Sequence, residues 1–121
     1  MGLKILCVDD SKSVHAFLKQ CLSDVSQDIS SAFDGEQAIE LFKSGNPGFQ
    51  LIFLDWEMPN KTGPETLEEL KKLGIFIPVI MLTSKNSAEN ISQMLNAGVA
   101  EYVMKPFTKE ILVEKMQAVL G

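Results

Sequence analysis

"FLDWEMP" (residues 53–59) ends the most apolar run of the chain, "FQLIFLD" (49–55), on a carboxylate, Asp55. The run has the length and composition of a strand buried in a sheet. A buried strand that stops on an acid poses a physical question. If Asp55 met only water, any polar loop residue would serve there. What the fold brings to the same end of the sheet decides the matter.

Outward from this strand, apolar β-rich runs alternate with helical patterns. Upstream, "LKILCV" (3–8) is a continuous apolar run, and Val14, Phe17, Leu18, Cys21, Leu22 and Val25 repeat with helical spacing. "DISSAF" (28–33) is a more polar strand suited to a sheet edge, and "DGEQAIELFK" (34–43) is a helix with Asp34 as N-cap. The turn "SGNPG" (44–48) leads into 49–55. Downstream, "TGPETLEELKKLG" (62–74) opens on the capping pair Thr62 and Glu65 and stops at Gly74. "FIPVIMLTS" (76–84) is a further buried strand, and Ala88, Ile91, Leu95 and Gly98 mark a helix. "EYVMK" (101–105) is a short strand, and Thr108 caps a last helix carrying Leu112, Met116, Val119 and Leu120.

Five β-α pairs in succession predict an α/β, doubly wound, five-stranded parallel sheet with helices on both faces, because such crossovers are right-handed. Strand order 2-1-3-4-5 is one of the two common doubly wound arrangements. No linker, repeat or low-complexity stretch interrupts the chain, so residues 1–121 read as one domain with no output domain.

Composition narrows the function. The eleven basic residues are all lysine and the net charge is −5, which argues against a nucleic-acid binder, since those carry a basic face rich in arginine. No apolar run reaches the ~20 residues that span a bilayer, and the N-terminus lacks a signal peptide. The protein is therefore read as cytoplasmic, off the membrane, and as a monomer. Cys7 and Cys21 read as buried reduced thiols; with one His they are too few for zinc.

Ligands of doubly wound sheets bind at the carboxyl ends of the strands, near the point where strand order reverses. Strand 1 ends in Asp9-Asp10, strand 3 in Asp55, strand 4 in Thr83-Ser84 and strand 5 in Lys105-Pro106. Three carboxylates meeting there would repel, and without compensation at least one would keep its proton. A hard dication such as Mg²⁺ resolves the repulsion and leaves positions for phosphate oxygens. Lys105 then offers a point charge and Thr83 a donor hydroxyl. The set suggests phosphoryl transfer onto a carboxylate, with the central Asp55 as nucleophile. Taken singly, Asp9 or Asp10 could cap a helix, Asp55 could open a turn, and Thr83 and Lys105 could be solvated. All of them falling directly after buried strands favours a site.

With "VDDS" (8–11), "LDWEMPNKTG" (54–63), "LTS" (82–84) and "YVMKPFT" (102–108) in order and at the right spacing, the whole chain resembles the CheY-type receiver domain of two-component response regulators. The resemblance implies phosphorylation at Asp55 by a phosphohistidine on a sensor histidine kinase. It implies Mg²⁺ held by Asp9, Asp10, Asp55 and the backbone carbonyl of Glu57. Thr83 and Lys105 would bind the phosphoryl oxygens. Such a protein is a signalling protein rather than an enzyme, though it catalyses its own phosphorylation and dephosphorylation.

"DWEMPN" and "NAGVAEYVMKPFT" look like the chemotaxis members, in which Thr83 and the aromatic Tyr102 would act as a switch. The partner would then be a protein target, such as a flagellar motor switch. A phosphate sink, a phosphorelay intermediate and a docking-only module are the alternatives. The family also implies a cis Lys105–Pro106 bond.

Glu57 and Lys85, each two residues beyond a site residue, carry opposite charges that could pair across the site mouth and hinder attacking water. Ser84 stands where the family often has Ala or another small residue, a mild change. Trp56 reads as surface packing that reports on the site by fluorescence. His15 reads as a surface residue, and the methionines as core filler. A flavodoxin-like protein would need a first loop rich in Ser, Thr and Gly, whereas "VDDSKS" would repel its phosphate. A haloacid-dehalogenase-type phosphatase would need D-x-D after its first strand, and here the nearest pattern is Asp55-x-Glu57 on strand 3.

Overall fold

A computed structural model describes residues 3–26, 28–45, 47–85 and 87–120. Strands β1 (Lys4–Val8), β2 (Asp28–Ala32), β3 (Leu51–Asp55), β4 (Val79–Thr83) and β5 (Glu101–Met104) alternate with helices α1 (Lys12–Cys21), α2 (Gly35–Phe42), α3 (Gly63–Lys72), α4 (Ala88–Asn96) and α5 (Lys109–Leu120). All neighbouring strands run parallel, in the order β2-β1-β3-β4-β5. This is the predicted order, and it puts the reversal between β1 and β3.

The central strands β3 and β4 are buried along their whole length, as their unbroken apolar sequences require. Their side chains alternate between two cores. On one face Ile5, Cys7, Phe53, Ile80 and Leu82 meet Leu18 and Leu22 of α1 and Leu112 and Met116 of α5. On the other, Leu6, Val8, Leu54 and Met81 meet Ile39 and Phe42 of α2, Leu67 and Leu70 of α3, and Met94 of α4. Truncating one such leucine to alanine costs about 2–5 kcal/mol, through lost transfer energy and the cavity left behind.

Every helix begins on a hydroxyl or carboxylate that accepts a backbone N–H: Ser11 from Val14, Asp34 from Gln37, Thr62 from Glu65, Ser87 from Asn90, and Thr108 from Ile111. Thr62 and Glu65 form the reciprocal capping box that the sequence predicts. Each cap contributes about 1 kcal/mol and fixes where its loop leaves the sheet.

Several expectations shift. The strand expected over 76–84 begins only at Val79; Pro78 has no N–H to give the ladder, and Phe76 is 78% exposed. On α1 the buried residues are His15, Leu18 and Cys21, while Phe17 faces outward; Val25 is exposed in the turn beyond the helix end. On α4 the buried residue is Met94, whereas Leu95 is 54% exposed. α1 stops at Cys21, short of the run to Val25, and keeps Leu18 and Cys21 of its expected stripe buried, whereas in α4 the buried face is turned. Asn46 of the turn 44–48 and the terminal Gly121 lie outside the described residues. Among the described residues, no helix is long and apolar enough to cross a membrane.

Candidate functional site

Asp9 follows the last residue of β1 and Asp55 is the last of β3, so the two acids emerge side by side at the switch point. Asp9 is fully buried, Asp55 nearly so, and Asp10 is exposed. Carboxylate oxygens of Asp9, Asp10 and Asp55 all lie within 4.8 Å of one another. Neither Asp9 nor Asp10 is consumed as the cap of α1, since Ser11 takes that role. Asp9 Oδ1 instead accepts the Ser11 N–H at 2.9 Å, which curls the loop and holds the carboxylate facing the sheet edge.

Lys105 reaches in from the end of β5. Its Nζ lies 2.8 Å from Asp9 Oδ2 and 3.3 Å from Asp55 Oδ1. The Lys105–Pro106 peptide is cis, as expected. Thr83, the last residue of β4, is buried, and its Oγ1 accepts the Lys85 N–H at 2.9 Å. Because β4 pairs Leu82 with Asp55, Thr83 sits one position further along the same edge.

One ammonium against three carboxylates leaves two negative charges in excess. The electrostatics register this. Burial first, and the Asp9 charge second, push the Asp55 carboxyl from 3.8 up to about 6; Lys105 and the Glu57 N–H oppose the rise without cancelling it. Burial pulls the Lys105 ammonium down, but its bond to Asp9 and the charges of Asp55 and Asp9 outweigh that, and the net direction is up. A divalent cation that prefers oxygen ligands fits this donor set and this residual charge. The acid cluster could therefore hold a metal ion.

The loop after β3 is fixed from several sides. Its N–H at Glu57 points to Asp55 Oδ1 at 3.3 Å, and the Gly63 N–H returns to the Trp56 carbonyl at 3.1 Å. A Cβ on Gly63 would lie 2.5 Å from the Asp55 carbonyl oxygen, so only glycine permits this close return. Asn60 takes the left-handed conformation, φ 69°, at the bend. Lys61 then ties the loop to α2 through Glu36, at 3.1 Å, and to α3 through Glu69. At the mouth, Lys85 Nζ lies 3.1 Å from Glu57 Oε2, the pairing expected from their charges.

Tyr102 is half-buried against the α2–α4 core, with Lys115 Nζ 5.5 Å from its ring centroid and Lys115 paired to Glu101 at 3.3 Å. Two residues differ from their sequence reading. Trp56 is 8% exposed and belongs to the core rather than the surface, in the cluster shared with α2 and α3. His15 is 4% exposed: its Nε2 lies 2.7 Å from the Asp9 carbonyl oxygen, and its ring packs on Phe33 at 4.4 Å between centroids. The 15-18-22 spacing was the available signal for His15. Lys61 had none, since Glu36 is remote in sequence and Glu69 lies across a bend.

Residues 5–117 match the family model for the response regulator receiver domain. The chain is 34% identical to chemotaxis protein CheY1 of Helicobacter pylori, over 98% of both chains. It is 36% identical to chemotaxis protein CheY of Pseudomonas aeruginosa, over 97% of this chain and 95% of that one. The structure of chemotaxis protein CheY4 of Vibrio cholerae superposes with a TM-score of 0.86 at 30% identity, covering 99% of this chain and 100% of that one.

Proposed function

This chain belongs to the response regulator receiver domain family, and from that premise we propose that it accepts a phosphoryl group on Asp55 and thereby changes the surface it offers to a protein target. The donor is a phosphohistidine on a sensor histidine kinase. One Asp55 oxygen attacks phosphorus, an O–P bond replaces the N–P bond, and the imidazole leaves. The observation that carries this reading is the meeting of Asp9, Asp10 and Asp55 around the Lys105 ammonium.

Each residue has a physical task. Asp55 must be ionised to attack, and a carboxyl near 6 is mostly ionised at neutral pH. Lys105, already within 3.3 Å of that carboxylate, follows the phosphoryl oxygens as they arrive. Thr83, buried on the same edge, donates its hydroxyl to one of them. Asp9, Asp10, Asp55 and the Glu57 carbonyl would hold Mg²⁺, which when bound neutralises charge on the phosphoryl oxygens. The Thr83 hydroxyl, drawn from Lys85 toward the phosphoryl group, would free the space into which Tyr102 turns. The likeness to chemotaxis proteins supports a target in flagellar motor control.

Incubation with acetyl phosphate and Mg²⁺, followed by intact-mass measurement, tests the reading. A gain of one phosphoryl group is expected, lost in Asp55→Asn and with a chelator. An unchanged wild-type mass overturns it. A pull-down with and without a phosphate mimic then separates a protein target from a phosphate sink, which would capture nothing new.

A further inference from the structure

We infer that His15 is a positioning residue for the acid cluster: its side chain fixes the Asp9–Asp10 peptide, and so the direction in which the exposed Asp10 carboxylate meets a metal ion. The inference rests on the proposed Mg²⁺ site.

The Asp9 backbone is held at both ends. Its N–H donates to the Ala32 carbonyl at 3.1 Å, which continues the β1–β2 ladder past the strand end. Its carbonyl meets His15 Nε2 at 2.7 Å. A carbonyl oxygen only accepts, so Nε2 carries the hydrogen and the neutral ring is the Nε2–H tautomer. Among the described residues this is the ring's one hydrogen bond, since Nδ1 has no partner. Phe33, from the loop after β2, packs on the imidazole at 4.4 Å and limits its rotation.

The consequence follows from peptide planarity. The Asp9 carbonyl belongs to the same rigid plane as the Asp10 N–H, so fixing one end fixes the other. Asp9's side chain has its own anchors in Ser11 and Lys105. Asp10 is exposed, and among the described residues no side-chain hydrogen bond or ion pair anchors its carboxylate. Its carboxylate therefore takes its direction from the backbone that His15 holds. Partners of metal ligands typically affect metal affinity by about 10- to 100-fold.

Three variants of the whole chain separate positioning from packing. His15→Phe keeps a ring against Phe33 and removes the donor. His15→Leu removes both the ring and the donor. His15→Gln restores an N–H at similar reach. Mg²⁺ affinity is read by calorimetry and by Trp56 fluorescence, and stability by urea. The dissociation constant should rise about tenfold in the Phe and Leu variants and stay within about threefold of wild type in Gln. Folded Phe and Leu variants with wild-type affinity would overturn the inference, as would a Gln variant as weak as Phe.

Should the Phe and Leu variants not fold, the wild type still decides. Imidazole ¹⁵N spectra should show the Nε2–H tautomer, with a shift that follows Mg²⁺ saturation. No shift at saturation overturns the inference and leaves the Mg²⁺ site standing; no Mg²⁺ binding by the wild type overturns the site itself, and this inference with it.

Discussion

Lys105 Nζ stands 3.3 Å from Asp55 Oδ1 while it also pairs with Asp9 at 2.8 Å, so one ammonium occupies the space between two acids that would share a metal ion. On the proposed reading it would compete with the metal and assist the phosphoryl group. Lys105→Met should tighten Mg²⁺ binding several-fold, on the order of 1 kcal/mol of relieved repulsion. The same change should slow phosphorylation by acetyl phosphate about 100-fold, the usual cost of losing a preorganised charge at a transition state. Calorimetry and single-turnover kinetics read the two separately. Weaker Mg²⁺ binding in the variant would show that Lys105 is part of the site's scaffold instead.

The raised Asp55 carboxyl has a stability consequence. A folded-state value near 6 against 3.8 unfolded means that the folded chain holds this proton more tightly. Below 3.8 both states are protonated and nothing is lost. As pH rises from 3.8 through 6 the unfolded chain releases its proton first, and folding is progressively disfavoured. Metal-free Asp55→Asn should thus be more stable than wild type above pH 6, by about 1–3 kcal/mol once the lost Lys105 contact is discounted. The gain should shrink toward pH 4. Urea titrations in chelator across that range check it, and a gain that grew on acidification would contradict the assignment.

Gly63→Ala tests the closure of the loop. The new Cβ would fall 2.5 Å from the Asp55 carbonyl oxygen and 2.9 Å from Trp56 Cα, both backbone atoms with little freedom to retreat. A loss of about 3 kcal/mol is expected from overpacking. Urea denaturation measures it, and a neutral substitution would mean that the loop has slack.

The Glu57–Lys85 pair, half-exposed at 3.1 Å, is worth under ~1 kcal/mol in stability. Its expected effect is kinetic. Lys85→Ala should shorten the life of the phosphorylated protein, by at most about fivefold, as water gains access to the mouth. Loss of the phosphoryl mass with time measures this, and an unchanged lifetime removes the gate.

How much of this the sequence revealed depended on distance along the chain. Asp9, Asp55, Thr83 and Lys105 were legible because each polar residue interrupts an apolar run at the same end of a strand, and parallel topology then brings those ends together. Asp34, Thr62 and Thr108 were legible because caps act over three residues. The depth of Trp56 was not, because it depends on tertiary packing in the core shared with α2 and α3, and that of His15 showed only in its 15-18-22 spacing, since Phe33 is remote in sequence. The outward Phe17 of α1 and the turned face of α4 have a related cause. Both helices carry more apolar residues than the sheet can cover, and tertiary packing selects among them.

Cys7 is wholly enclosed and its thiol is pushed well above the ordinary range, by burial first and by Asp9 second; Cys21 is 4% exposed, with a thiol raised by burial. Neither native sulfur readily offers a thiolate to an alkylating reagent in the folded state. A cysteine placed on the outer side of α4 or α5 would thus be the sole target for maleimide, so spin labels or dyes can be attached to the wild-type background to read whether that surface responds to phosphorylation.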